Sequence, residues 1–336
     1  MQPYLQIAQY SGVFCTEISN FLLLFLILKK SPPRLGSYKY IMISYAVFSI
    51  FYAIVEIFTQ PVIYLNGACF FIYVDSFFKF ENSIALYCMG LYCGSFGLCV
   101  SLLALHFVYR YVAICRPQNM HHFQGLSLLK IYTVPLFLFV LWYLTVTIPL
   151  GPTDVKAEYM RESIQQIYGD DTFKLSYVGA LYYYTDSSKD LIINWQDFGG
   201  AFTLCGIMQL CISTMMICGW KTFKKLKSVG ASMSPKTKEL NNQLFKALVF
   251  QTLIPLCIMF GPVGALYILP MFSINIGKLA NAPSLYAGFY PALDALVAIL
   301  MIRDYRDTVL CKKSKIKSHG SVVPATHQSS NFAQTE

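Results

Sequence analysis

The sequence predicts an all-α membrane protein, a bundle of seven transmembrane helices with its N-terminus outside and its C-terminus cytoplasmic. Three observations lead there. Only 13% of the 336 residues are charged while 56% are apolar, and mean hydropathy is +0.50; a soluble domain carries about a quarter charged residues. Four stretches, 82–109, 131–153, 198–220 and 247–277, hold no Asp, Glu, Lys or Arg, and three more apolar stretches hold a single acid each. Finally, Lys and Arg divide twenty to six between the two alternating sets of loops.

The spans are expected at about 7–28, 41–65, 84–114, 129–150, 196–220, 244–269 and 284–303. A hydrocarbon core about 30 Å thick needs roughly 20 apolar residues of helix. The runs are continuous rather than alternating, which excludes barrel strands. Pro61, Pro135, Pro255 and Pro291 fall inside spans and are expected to kink them. Lys/Arg-rich loops stay in the cytoplasm, so the set after spans 1, 3, 5 and 7 is inner. The net charge of +9 then belongs to the anionic inner leaflet, and with no nucleic-acid signature present no nucleic-acid partner is expected. Ahead of the first span there is neither a basic run nor an A-x-A site, so that span is expected to serve as its own anchor.

The seven-span body is assigned to 1–310 and a disordered tail to 311–336, which is polar and poor in apolar residues. A long outer loop, 151–195, carries seven acids with an eighth, Asp197, just past its end, and its alternating Phe173, Leu175, Tyr177, Gly179, Leu181 and Tyr183 suggest a short strand. It is either a lid over an outward-facing pocket or a solvated acidic loop packed on the helix ends. It holds no cysteine, so no disulfide can join it to the third span. Cys311, followed by Lys312 and Lys313, is either a lipidation site or a plain tail cysteine.

Polar groups inside a membrane are functional candidates because each costs several kcal/mol on most scales. In the third span, stepping back from Arg110 by three or four residues gives His106, Leu103, Cys99, Phe96, Tyr92 and Cys88 on one face. Arg110 is either an intracellular switch contact or a side chain snorkelling to phosphates; His106 is read as a hydrogen-bonded interior histidine. Asp294, Asn20 and Ser49 sit at similar depths and are expected to meet as a buried carboxylate with amide and hydroxyl partners, a rearranging hub or static glue. Glu17 and Glu56 lie farther outward, facing a cavity or pairing with neighbours. Gln251 and Pro255, with Gly261-Pro262 beyond, mark the sixth span as a moving lever or a fixed bend. No nucleophile elbow, phosphate loop, zinc motif or paired acids appears, so no catalytic residue, metal or cofactor is expected.

Four motifs resemble one family. Lys30-Ser31-Pro32-Pro33-Arg34-Leu35-Gly36-Ser37-Tyr38-Lys39-Tyr40 is similar to the first inner loop of nematode seven-helix chemoreceptors of the Str class. HFVYRYVAICRP (106–117) stands in the place of the arginine motif of rhodopsin-like receptors, and LNNQLFKALVFQTLIPLCIMFGP (240–262) and FYPALDALVAILMIRDYR (289–306) match the family's last two helices. The resemblance implies a G-protein-coupled receptor of sensory neurons, at the ciliary region of the plasma membrane, for a small odorant or soluble chemical. It places His106, Tyr109, Arg110 and Tyr111 at the transduction position and Asp294 at the seventh-helix acid, with Ala295 where the family usually has proline.

On that reading ligand enters between the outer helix ends, with Glu56, Tyr92, Phe96, Tyr267 and Tyr286 as pocket candidates, and the basic loop 221–246 meets a heterotrimeric G protein. A ligand-gated channel subunit of the insect odorant-receptor type is the alternative, but its N-terminus is inside, against the twenty-to-six division. A transporter using Glu17, Glu56 and Asp294 as relays is a third, and seven spans divide poorly into inverted repeats.

Overall fold

A computed structural model of the chain describes residues 3–185, 188–229 and 234–311. Among these, seven helical segments are long and apolar enough to cross a membrane. α1 (Pro3–Lys30), α2 (Tyr38–Thr59) and α3 (Asn82–Cys115) are the first three. α4 (Ser127–Ile131) and α5 (Thr133–Thr147) share the fourth, α6 (Asp154–Tyr168) lies in the outer loop that follows, and α7 (Trp195–Val229) is the fifth. The sixth joins α8 (Pro235–Pro255) to α9 (Gly261–Ile268) through a π-helical turn, Leu256–Phe260. α10 (Ala282–Ala287) and α11 (Tyr290–Met301) make the seventh, and α12 (Arg303–Val309) follows it.

The third span is the axis of the bundle. Its apolar window is 83% buried against 28% for the fourth span, and it packs on α2, α5 and α7. Large apolar side chains such as Phe14, Phe21, Phe25, Phe137 and Phe202 are exposed on outward faces, which suits a surface solvated by lipid rather than water. Trp195 and Trp220 are exposed near the two ends of the fifth span, the positions of interfacial aromatic belts. On the inner side α12 docks through Tyr305, whose hydroxyl meets Ser31 Oγ at 2.7 Å; burial pushes that phenol up to about 12.

The expected second span of 41–65 is corrected: the helix ends at Thr59, Gln60 turns left-handed at φ 41°, and Pro61 opens a strand rather than kinking a helix. β1 (Pro61–Asn66) pairs antiparallel with β2 (Cys69–Val74), and β2 pairs with β3 (Tyr177–Leu181) from the second outer loop. Proline is tolerated as the first residue of a strand, where no ladder donor is lost. Pro135 and Pro291 sit in the first turn of α5 and α11, where the missing N–H is not needed; they restart helices rather than kink them. The third outer loop closes the β1 edge, through an antiparallel bridge of Leu65 to Gly277 and a bond from Ile63 N–H to Asn281 Oδ1 of 2.8 Å.

This sheet is buried on both faces. Ile63, Leu65, Phe70, Ile72, Val74, Val178 and Ala180 belong to the bundle core, while Val62, Tyr64, Phe71, Tyr73, Tyr177 and Leu181 pack with Ala157, Met160 and Ile164 of α6 in a separate outer cluster. Strand alternation thus joins two cores with one layer of backbone. α6 is an element that the loop's acidity concealed: Thr153 caps its N-terminus by accepting from Lys156 N–H, and Gly169 ends it at φ 76°. β4 (Tyr183–Thr185) and β5 (Leu191–Ile193) form a second, two-stranded ribbon.

Polar contacts rather than disulfides tie the outer layer down, and all eleven cysteines are free. Lys156 Nζ reaches Asp197 Oδ1 at 3.0 Å with both side chains 1% exposed, and it also donates to Gly151 O at 3.0 Å. Asp197 Oδ2 in turn accepts from Leu181 N–H at 2.7 Å. Lys79 bridges Asp75 at 2.6 Å and Asp170 at 2.7 Å; partial burial lowers its pKa, and the two carboxylates outweigh this and raise it. The tail assigned to 311–336 lies outside the described residues from 312 onward.

Candidate functional site

Two chambers are stacked along α3. The outer one, of about 40 Å³ open to the centre of a water-sized sphere, lies directly beneath the sheet. Ile63, Phe70 and Ile72 roof it, and Tyr52, Tyr92, Phe96, Trp142, Met259 and Tyr267 wall it. The aromatic walls brace one another: Tyr52 stacks on Tyr92 with centroids 5.6 Å apart, Phe96 meets Trp142 at 5.4 Å, and Phe70 meets Tyr267 edge-on at 5.1 Å. Trp142 is 1% exposed, and its indole N–H has no acceptor among the described residues. A buried donor left unpaired costs about 1–3 kcal/mol.

Of the pocket candidates, Tyr92, Phe96 and Tyr267 are on this wall. Tyr286 is not: it is half exposed on the outside of α10, because the turn that carries it faces outward while Ser284 and Ala287 face the chamber. Glu56 is not on the wall either. It is fully buried with both carboxylate oxygens unpartnered among the described residues, and it lies so close to Gly288 that a Cβ there would stand 3.0 Å from Oε1. Gly12 in turn lets α1 approach closely, since a Cβ there would stand 2.7 Å from the Gly288 carbonyl carbon.

That close approach fixes the partners of Asn20. Thr16 Oγ1 donates to Gly288 O at 2.8 Å and Asn20 Nδ2 to Pro291 O at 3.1 Å, satisfying carbonyls at the break between α10 and α11. Ser49 donates to Tyr45 O in its own helix at 3.0 Å. The expected meeting of Asn20 and Ser49 with the Asp294 carboxylate is therefore corrected. Its partner is Gln251, whose Nε2 donates to Asp294 Oδ2 at 2.9 Å and to Asp294 O at 3.2 Å. Four residues on, Pro255 ends α8 and the π-turn begins; proline deprives the Gln251 carbonyl of its helical donor, and such turns recur at functional sites.

The inner chamber, of about 20 Å³, lies between Tyr38, Tyr45, His106, Gln251 and Asp294. Arg110 lies one helical turn beyond His106 toward the cytoplasmic end of α3. It is 4% exposed, and its guanidinium carbon lies 3.9 Å from the centroid of the Tyr38 ring; Nε and Nη2 have no partner among the described residues. Burial under a ring, rather than extension to phosphates, is the observed geometry. Tyr38 hydroxyl meets His106 Nδ1 at 3.1 Å, and its ring lies 5.2 Å from Tyr109. Tyr45 stands edge-on to His106 at 5.2 Å, and its hydroxyl bonds that of Tyr290. A continuous run of aromatic and hydrogen-bond contacts thus links Arg110 to the seventh span. Tyr111 is apart from it, half-buried with Lys221 Nζ 5.8 Å from its ring centroid. Cys311 is exposed at the end of α12, at φ 50°.

Tyr38, Tyr45, Tyr52 and Trp142 had no role from the sequence alone. Two signals were present. Tyr38, Tyr45 and Tyr52 recur every seven residues and so share one face of α2. Of three tryptophans, two sit at the ends of the fifth span and only Trp142 lies mid-span.

Comparison with known proteins agrees with this architecture. The model of the serpentine-type seven-transmembrane G-protein-coupled chemoreceptor family Str matches residues 5–310. A curated relative, serpentine receptor class r-10 of Caenorhabditis briggsae, is 33% identical over 329 residues, covering 95% of this chain and 94% of its own length. Serpentine receptor class r-10 of Caenorhabditis elegans is 32% identical with the same coverage, and the G-protein coupled receptor str-217 of that species is 26% identical over 90% of each chain. With seven spanning helices and a family match across nearly its whole length, the chain belongs to the Str family of serpentine seven-transmembrane G-protein-coupled chemoreceptors.

Proposed function

We propose that the chain is a chemosensory receptor for a compact, mostly apolar molecule, signalling through a heterotrimeric G protein at the plasma membrane of a sensory cilium. The observation that carries this reading is the sheet-roofed, aromatic-walled outer chamber, set along the same helix as the buried arginine. Its size favours an odorant of a few heavy atoms, since one water needs about 10–15 Å³ by the same measure. Ligand acts by preferring one arrangement of the bundle over another. Phe96 touches Trp142 on one side and Phe260 of the π-turn on the other, at 5.6 Å, which supports the sixth span as the element that responds. Arg110 and the Gln251–Asp294 pair are the inner contacts that such a movement rearranges.

The test is expression of the full chain in responsive cells against a panel of small volatiles and soluble metabolites. A calcium or cAMP response abolished both by GDPβS and by Arg110→Ala is expected. A fast current that survives GDPβS overturns the reading in favour of a channel. For any active ligand, Trp142→Leu, which removes the ring that braces Phe96 at the chamber wall, is expected to weaken potency by about tenfold at unchanged surface expression. An unchanged concentration–response curve removes the indole from the ligand's site.

A further inference from the structure

We infer that the crevice between the cytoplasmic halves of α7 and α8 binds an anionic phospholipid of the inner leaflet. The crevice has a volume of about 550 Å³. Its floor is apolar, with Leu226, Phe245 and Val249 flanked by the exposed rings of Phe223 and Phe250, and its polar side carries Lys227, Lys238 and Lys246.

The crevice opens away from the bundle. On α8, Leu244, Ala247, Leu248 and Gln251 form the inward stripe, with three of them lining the inner chamber. Residues 238, 242, 245, 246 and 249 occupy the opposite face at helical spacing. The mouth therefore faces the annulus of lipid and not the cytoplasmic cavity enclosed by the helices. The basic loop on which it sits belongs to the inner side by the distribution of Lys and Arg.

Charge selects among lipids. Among the described residues the lining includes three ammonium groups and no carboxylate. Glu239, one residue along from Lys238, is engaged at 3.2 Å by Arg303 of α12. Each lysine near an anionic surface adds to the attraction for an anionic headgroup. A free phosphate or soluble headgroup would satisfy the lysines but leave the aromatic floor bare; an acyl chain covers the floor while its headgroup meets the rim. The inference rests on the fold and not on the identity of the odorant.

The full chain, purified in detergent, is titrated with phosphatidylserine and with phosphatidylcholine, and bound lipid is counted by native mass spectrometry. Phosphatidylserine is expected to bind the tighter, and Lys227→Gln/Lys238→Gln/Lys246→Gln to lose at least about tenfold of that preference. A control with equal charge change elsewhere on the inner face, Lys29→Gln/Lys30→Gln/Lys39→Gln, is expected to keep it. Val249→Trp, which fills the floor and leaves every charge, is expected to reduce phosphatidylserine binding without abolishing selectivity. Each variant is first checked by thermal melting against the parent. Equal loss in both lysine variants overturns the site in favour of diffuse leaflet attraction. Displacement by soluble glycerophosphoserine overturns it in favour of a headgroup-only site, and an unaltered preference in the crevice variant overturns it outright.

Discussion

Lys156→Met is expected to lower the stability of the outer layer by about 3–5 kcal/mol, because it leaves the Asp197 carboxylate buried without its counter-ion. That is a large share of the 5–15 kcal/mol by which an ordinary domain is stable, so surface expression should fall severely. The position links three parts: α6 that carries the lysine, the top of α7 that carries the acid, and the β3 strand whose Leu181 N–H the acid accepts at 2.7 Å. Charge is therefore only part of the effect. A second substitution separates the two: Lys156→Met/Asp197→Asn removes the lone charge yet keeps an acceptor for Leu181, and is expected to recover most of the loss. Melting of purified protein by intrinsic fluorescence is the measurement. A double variant no better than the single one would show that lysine's own bonds to Pro149 O and Gly151 O dominate.

Tyr38→Leu is the second large effect, and it concerns signalling. The Tyr38 ring covers the Arg110 guanidinium, and its hydroxyl holds His106. A desolvated cation–π contact is worth about 2 kcal/mol, which corresponds to roughly a 30-fold shift between two arrangements if only one contains the contact. On the proposed role of Arg110, release of this cover frees the guanidinium for the G protein and raises ligand-independent signalling. Tyr38→Phe keeps the ring, loses only the hydroxyl, and should raise basal activity far less. Basal cAMP or calcium at matched surface expression decides the matter. Equal behaviour of the two variants would assign the effect to His106 rather than to the ring.

The spanning helices were legible because apolarity over twenty residues has few other uses. The end of the second span was not, because Val62-Ile63-Tyr64-Leu65 continues the apolar run of α2. A strand buried on both faces shows the same composition as a buried helix. Pro61 was the available stop signal. α6 was hidden by its charge, although Thr153 as a cap and Ala157, Met160 and Ile164 at helical spacing mark a one-sided helix. Within the site, stripes on a single helix were readable, so Tyr92, Phe96, His106 and Arg110 fell on one face. Partners across helices were not. Asn20 and Asp294 have comparable depth, but rotation about the helix axis decides contact, and Gly12 against Gly288 turns Asn20 to the Pro291 carbonyl while Gln251 reaches Asp294.

The roof over the outer chamber also has a consequence in time. Its first hairpin leaves the ribosome with the second span, yet its third strand arrives only after the fourth span, and the edge is covered only by residues ahead of the seventh. Contacts between such distant segments form late, since chain closure precedes any reward from pairing. Until then the hairpin presents an apolar edge to whatever strand is near, the condition in which chains misassemble. The outer chamber is therefore among the last features to be completed during synthesis, and a small molecule that fits beneath the roof should act as a folding chaperone for poorly expressed variants.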